Sequence, residues 1–98
     1  MAEGEWGLSL DDVGGRPLHV GVAAADGLLR LQAAVCGPGL ADPHALLHRN
    51  RTLSLVRFAH TRAGEVWLVG DTPLEHLDRA LGILVQAAEE VRATPSHE

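Results

Sequence analysis

The sequence is short of cysteine, of lysine and of long apolar runs, and each shortage removes a class of function. Cys36 is the only cysteine in 98 residues, so neither an intrachain disulfide nor a multi-cysteine zinc site can be built, and a reducing compartment suits the chain. A reactive thiol needs a cation beside it. Cys36 instead closes an apolar stretch before Gly37-Pro38-Gly39 and reads as a buried bystander. All 8 basic residues are arginine, and the formal net charge is −5. That balance argues against a nucleic-acid partner, because affinity for phosphate backbones comes from clustered cations. No apolar run approaches the roughly 20 residues of a membrane-spanning helix. The acidic start Met1-Ala2-Glu3-Gly4-Glu5-Trp6 also lacks the basic patch and apolar stretch of a secretory signal. The expectation is a cytoplasmic chain with no membrane partner.

What is present is a globular pattern. A hydrophobic fraction of 46% over this length predicts one α+β domain spanning 1–98, with flexible ends at 1–5 and 94–98. Residues 6–10 alternate with period two, as a half-buried strand does, and Asp11-Asp12-Val13-Gly14-Gly15 supplies turn residues. Alternation resumes over 18–24 with Leu18, Val20 and Val22 inward, and Asp26-Gly27 is a two-residue hairpin signal. A third strand follows over 28–36, where Leu29, Leu31, Ala33 and Val35 share one face.

Asp42 as N-cap and Pro43 at the first helical position predict a short helix over 43 to about 50. A second hairpin joins 53–60 to 65–70 through Arg62-Ala63-Gly64. Thr72, Pro73 and Glu75 then form a capping-box signature for a long C-terminal helix. Leu74, Leu77, Leu81, Leu84, Ala88 and Val91 mark its sheet-facing stripe, and Ala80, Ile83 and Ala87 a weaker second one. The order β-β-β-α-β-β-α, with connections too short for parallel crossovers, predicts a five-stranded antiparallel sheet with helices on one face. The other face carries His19, Gly21, Ala23, Arg30, Gln32 and Ala34, with Trp67 beside Val69. A mixed apolar and polar face of this kind is a candidate interface.

Catalytic patterns are weak. Ser9, Ser54 and Cys36 lack a nucleophile-elbow context, and no glycine-rich phosphate cradle precedes a helix. Asp11-Asp12 and Glu89-Glu90 read as solvated charge. His44 and His48 lie one helical turn apart, the spacing of two metal ligands, but no third ligand belongs to the motif. Arg49-Asn50-Arg51 closes the short helix. It reads either as a C-cap with Asn50 in the left-handed conformation or as a pair of guanidinium forks for a partner.

Several phrases together resemble the YbjN-like bacterial proteins and the dimeric chaperones of type III secretion, which are related in fold. They are Gly14-Gly15-Arg16-Pro17-Leu18-His19-Val20, the strand over 28–35, Leu46-Leu47-His48-Arg49-Asn50-Arg51, Val56-Arg57-Phe58, and Val66-Trp67-Leu68 leading to Leu74-Glu75-His76-Leu77-Asp78. The resemblance spans residues 14 to 92 and implies a non-enzymatic fold that pairs into a homodimer and offers apolar surface to other polypeptides. The expectation is therefore a homodimeric protein-binding module, chaperone-like or sensory-regulator-like, needing no cofactor. Trp67, Phe58 and Ile83 are its candidate interface anchors, with Arg49 and Arg51 as polar contacts. The alternative is a metal or small-ligand sensor built on His44 and His48.

Overall fold

The computed structural model describes residues 5–37 and 43–93. Within them the chain runs β1 (Glu5–Val13), β2 (Arg16–Ala25), β3 (Leu28–Cys36), α1 (Pro43–Arg49), β4 (Val56–His60), β5 (Val66–Thr72), a 3-10 turn (Leu74–His76) and α2 (Leu77–Ala93). The strands form one antiparallel sheet in the order β1-β2-β3-β5-β4, with α2 packed on it, which is the α+β layout the sequence predicts. Glu5 already belongs to β1, whereas the rest of the expected flexible ends and the Asp42 cap lie outside the described residues.

Turn chemistry sets the first three strands. Asp11 and Asp12 stay in β1, which absorbs them in an irregularity between Leu10 and Val13, so the turn contracts to Gly14-Gly15. Both glycines have positive φ, and Asp12 Oδ1 accepts the Gly15 N–H at 2.9 Å. Asp26 (φ 52°) and Gly27 (φ 80°) make the second turn, and the paired positive φ values match a type I′ hairpin. In β3 the expected alternation holds: Leu29, Leu31, Ala33 and Val35 are buried, facing Leu18, Val20 and Val22 of β2 in the core.

The C-terminal helix starts later than its capping signature implies. β5 runs on to Thr72, because the ladder with β3 continues through Arg30↔Asp71 and Leu29↔Thr72. Thr72 is fully buried and its Oγ1 donates to the Pro73 carbonyl at 3.1 Å, so it caps no helix. Pro73 is extended and the chain enters α2 through the 3-10 turn with no side-chain cap bond. This start rotates the helix. Ala80, Leu84, Ala87, Ala88 and Val91 form the buried stripe, Leu77, Leu81 and Ile83 lie on its flanks, and Leu74 is 72% exposed.

The second hairpin is also shorter than expected. Leu53 and Leu55 precede β4, because Leu55 takes φ 69° and cannot continue an extended strand. The Leu55 carbonyl packs where a Gly70 side chain would stand, so only glycine fits opposite that bend. Asn50 is not a left-handed cap. Its side chain crosses to β4, where Oδ1 accepts the Phe58 N–H at 2.7 Å and Nδ2 donates to the Phe58 carbonyl at 3.2 Å.

Candidate functional site

An alternating strand on the core face should be covered by a helix, and β1 is not. Trp6, Leu8 and Leu10 pair with Val22, Val20 and Leu18, so all of them lie on the face that carries α2. α2 packs against β3, β5 and β1, and leaves Trp6 and Leu8 of β1 exposed. Trp6 is 56% and Leu8 39% exposed, although their partners Val22 and Val20 are buried. Between β1 and α2 runs an open groove of about 560 Å³, lined by Leu8, Leu10, Leu81, Gly82, Val85, Gln86 and Glu89. Its walls are apolar and its lining charge is the carboxylate of Glu89.

Arg92 fixes the closed end of this arrangement. Its Nε donates to the Val35 carbonyl at 2.9 Å and its Nη1 to the carbonyls of Val13, Arg16 and Pro17 at 2.8, 3.1 and 3.2 Å. One guanidinium thus ties the last turn of α2 to the β1–β2 turn and to the end of β3. Burial pushes the Arg92 pKa down, and neighbouring Arg16 pushes the same way. A side chain at Gly14 would meet Arg92 Cβ at 2.6 Å, so that turn has the closeness only glycine allows. Cys36 is buried beside this knot. Burial pushes its thiol upward and outweighs the opposing pull of Arg16 and Arg92, so proximity to cations does not produce a reactive thiolate.

The opposite sheet face is the mixed surface that the sequence implies. Cross-strand pairs bring together His19 with Ser9, Gly21 with Gln32, Ala23 with Arg30, and Arg30 with Asp71, the last pair as a 3.2 Å ion pair. Trp67 lies between Ala34 of β3 and Ala59 of β4, half-buried, and its indole Nε1 is buried with no hydrogen-bond partner among the described residues. Ser9 Oγ and His19 Nδ1 share a hydrogen bond at 2.9 Å. Ser9 and His19 are both exposed, and this bond joins two neighbouring strands.

The residues singled out from the sequence are dispersed. Trp67 is on the open face, whereas Phe58 is 4% exposed and faces the core, opposite Leu68. Phe58 therefore meets the protein's own side chains, since its place in β4 points it inward. Ile83 packs on the flank of the core cluster. Arg49 forms an ion pair with Glu90, tying α1 to α2, so neither is simple solvated charge, while Arg51 is exposed in the turn after α1. His44 and His48 are exposed on α1, and no group of three His, Cys, Asp or Glu able to hold a cation occurs among the described residues. Of the groove residues, Leu81 reads from the sequence as part of the sheet-facing stripe, while Gly82, Val85 and the anchor Arg92 carry no expectation. A glycine in the middle of a helical pattern was the signal on offer.

No protein-family model matches the sequence, and no curated protein matches it significantly. Among solved structures, a chain of the crystal structure of the ExsC–ExsE complex superposes with a TM-score of 0.70 at 23% identity, covering 98% of this chain and 80% of that one. The two share a fold.

Proposed function

We propose that this chain is a chaperone-like, non-enzymatic protein-binding module, acting as a homodimer in the cytoplasm. The observation that carries the reading is the pair Trp6 and Leu8, apolar residues on the core face of the sheet that the described helices leave exposed, with half-buried Leu10 beside them. Apolar surface of this kind gains free energy when another polypeptide removes it from water, at roughly 25 cal/mol per Å². The fold shared with a chain of a two-protein complex supports the same reading. Of the two families the sequence resembles, the type III secretion chaperones, to which ExsC belongs, are the ones this likeness favours.

The homodimer is assigned to the open sheet face. There Trp67 is half-buried and bordered by the small residues Ala34 and Ala59, which leaves part of its ring open to a second copy. Multi-angle light scattering at micromolar concentration tests this half of the proposal: Ala34→Arg beside Trp67 should halve the mass, and a wild-type mass of 10.4 kDa at every concentration refutes it. A photo-crosslinking residue at Leu8, compared with one at Gln32 on the open face, tests the other half. Partner polypeptides should join at Leu8, and capture at neither position removes the protein-binding reading.

A further inference from the structure

β4 stops short of the end of β5, and the mismatch leaves a notch at one corner of the sheet. Their ladder ends at Val56↔Gly70, while β5 continues against β3 through Leu29↔Thr72, so among the described residues Asp71 and Thr72 have a strand neighbour on one side only. The chain that would have continued β4 turns away at Leu55, whose φ of 69° is uncommon and costly for a bulky residue. The result is a depression of about 400 Å³, the size of a small-molecule site, lined by Asn50, Leu53, Leu55, Val56, Arg57 and Asp71. Leu53 and Leu55 are half-buried and form its apolar wall, and the Asn50 amide is engaged by the Phe58 backbone.

The charged groups of the notch are unevenly paired. Arg57 stands opposite Val69 and diagonal to Asp71 on the same sheet face, about 7–8 Å away at the Cα atoms and within reach of a long side chain. Asp71 instead pairs with Arg30 at 3.2 Å, and Arg57 has no side-chain hydrogen bond or ion pair among the described residues. Arg30, Asp71 and Arg57 together carry one positive charge, and its free donors belong to Arg57. Neighbouring charges do not cancel it: within four residues of the lining along the chain, Arg49 pairs with Glu90, and exposed Arg51 offsets exposed Glu75. Glu5, in the cross-strand row of Arg30 and Asp71, lies three strands from Asp71, about 14 Å at the usual strand spacing. We propose that the notch binds a monocarboxylate on an aliphatic stem. The guanidinium of Arg57 takes the carboxylate through paired N–H donors, and Leu53 and Leu55 cover the stem. A dianion such as phosphate fits poorly, because one free cation stands beside the Asp71 carboxylate. The site is separate from the exposed apolar residues of β1 and from His44 and His48, and it does not depend on the protein-binding role proposed above.

The test uses the full isotope-labelled chain, followed by NMR during titration with hexanoate, and with acetate, hexanol and hexylammonium as controls. Hexanoate should move the amide signals of Leu55, Arg57 and Asp71 saturably. Acetate should bind about tenfold more weakly for want of a stem, and the alcohol and the cation should leave those signals in place. Arg57→Gln removes the free donors from an exposed, unpaired side chain, so it should keep the melting temperature and lose the response. Leu55→Gly keeps the bend, since glycine adopts a φ of 69° freely, and should weaken hexanoate about tenfold by taking away the wall. The proposal is overturned if hexanoate moves nothing at the notch, if it moves the signals of Leu8 and Val85 instead, if hexanol or hexylammonium binds as well, or if Arg57→Gln binds unchanged. The same carboxylate chemistry occurs at the end of a polypeptide. Tighter binding of a leucine-ended tripeptide than of hexanoate, lost when its terminus is amidated, assigns a chain end, and the reverse order assigns a free acid. Crosslinking at Leu8 reports on protein binding alone, so either reading can fall without the other.

Discussion

The two edges of the sheet end in opposite ways: at β4 the Asn50 side chain bonds both the N–H and the carbonyl of Phe58, while among the described residues β1 runs outermost with β2 as its one strand neighbour. At the first edge an amide stands in for the missing strand, and the Arg49–Glu90 pair ties the adjoining α1 to α2. At the second edge, Trp6 and Leu8 are left uncovered on the side where a helix would pack. Free edges invite pairing with other chains, and proteins commonly blunt them. A chain that blunts one and leaves apolar surface along the other has separated stability from contact. The β4 edge is closed by the protein's own side chain, and the β1 edge is open beside exposed apolar residues.

The largest test of that division acts where β1 is anchored. Arg92→Met keeps the apolar stem and removes the donors to Val13, Val35, Arg16 and Pro17. Hydrogen bonds to a charged group contribute more than neutral ones, and the Val13 and Val35 carbonyls left behind are part-buried, so a loss of about 3 kcal/mol in urea unfolding is expected. Lysine should recover little, having no planar fork to span several carbonyls. Amide exchange should rise first in β1 and in the β1–β2 turn. Uniform exchange across the sheet would mean that β1 has no separate attachment.

Next in size is the sealed edge. Asn50→Ala strips both partners from the Phe58 backbone and should cost about 1–2 kcal/mol, with concentration-dependent association through the opened β4 edge. Asn50→Asp keeps the acceptor for the Phe58 N–H but sets a carboxylate oxygen against the Phe58 carbonyl, so its cost should be no smaller than that of Asn50→Ala. Association of the wild type and Asn50→Ala to the same extent would show that the amide blocks nothing.

On the bare edge the ranking of effects reverses. Leu8→Ser removes a side chain that is 39% exposed and should cost about 1 kcal/mol, less than the loss of a fully buried leucine, since part of its area stays in water on folding. The same variant should abolish capture of partner polypeptides. A destabilisation as large as the loss of a fully buried leucine would place Leu8 in the core and undo the contrast between the edges.

Much of the sheet was legible from local pattern. Leu29, Leu31, Ala33 and Val35 are buried because alternation fixes a face, and Asp26-Gly27 makes its turn because those residues tolerate positive φ. The open face was readable for the same reason. The groove was not, because Trp6, Leu8 and Leu10 alternate just as Leu18, Val20 and Val22 do, and which of them is covered depends on where α2 comes to lie. The phase of α2 was hidden because Pro73 begins an α-helix or a 3-10 turn equally well, and that choice decides whether Leu81 faces the core or the groove. Arg92 sits in the last turn of α2 and carries no local mark of its role. Its actual partners lie 57 to 79 residues away in sequence, beyond any local pattern.

The smallest effect concerns the thiol beside the Arg92 anchor. Burial raises the folded-state pKa of Cys36 above its ordinary value of 9.0, with Arg16 and Arg92 pulling the other way. Well below pH 9.0 the thiol is protonated in both folded and unfolded chains and adds no pH dependence. Above it the unfolded chain sheds the proton first and binds fewer protons than the folded one, so stability falls as pH rises through the folded pKa. Denaturation midpoints followed upward from pH 8 should therefore decline in the wild type and decline less in Cys36→Ala, after allowance for the common trend of the other groups. Equal slopes would mean that the thiol ionises as readily in the fold as outside it. In that case the two arginines, rather than burial, would govern the end of β3, and the anchored side of β1 would be wetter than its hydrogen bonds imply.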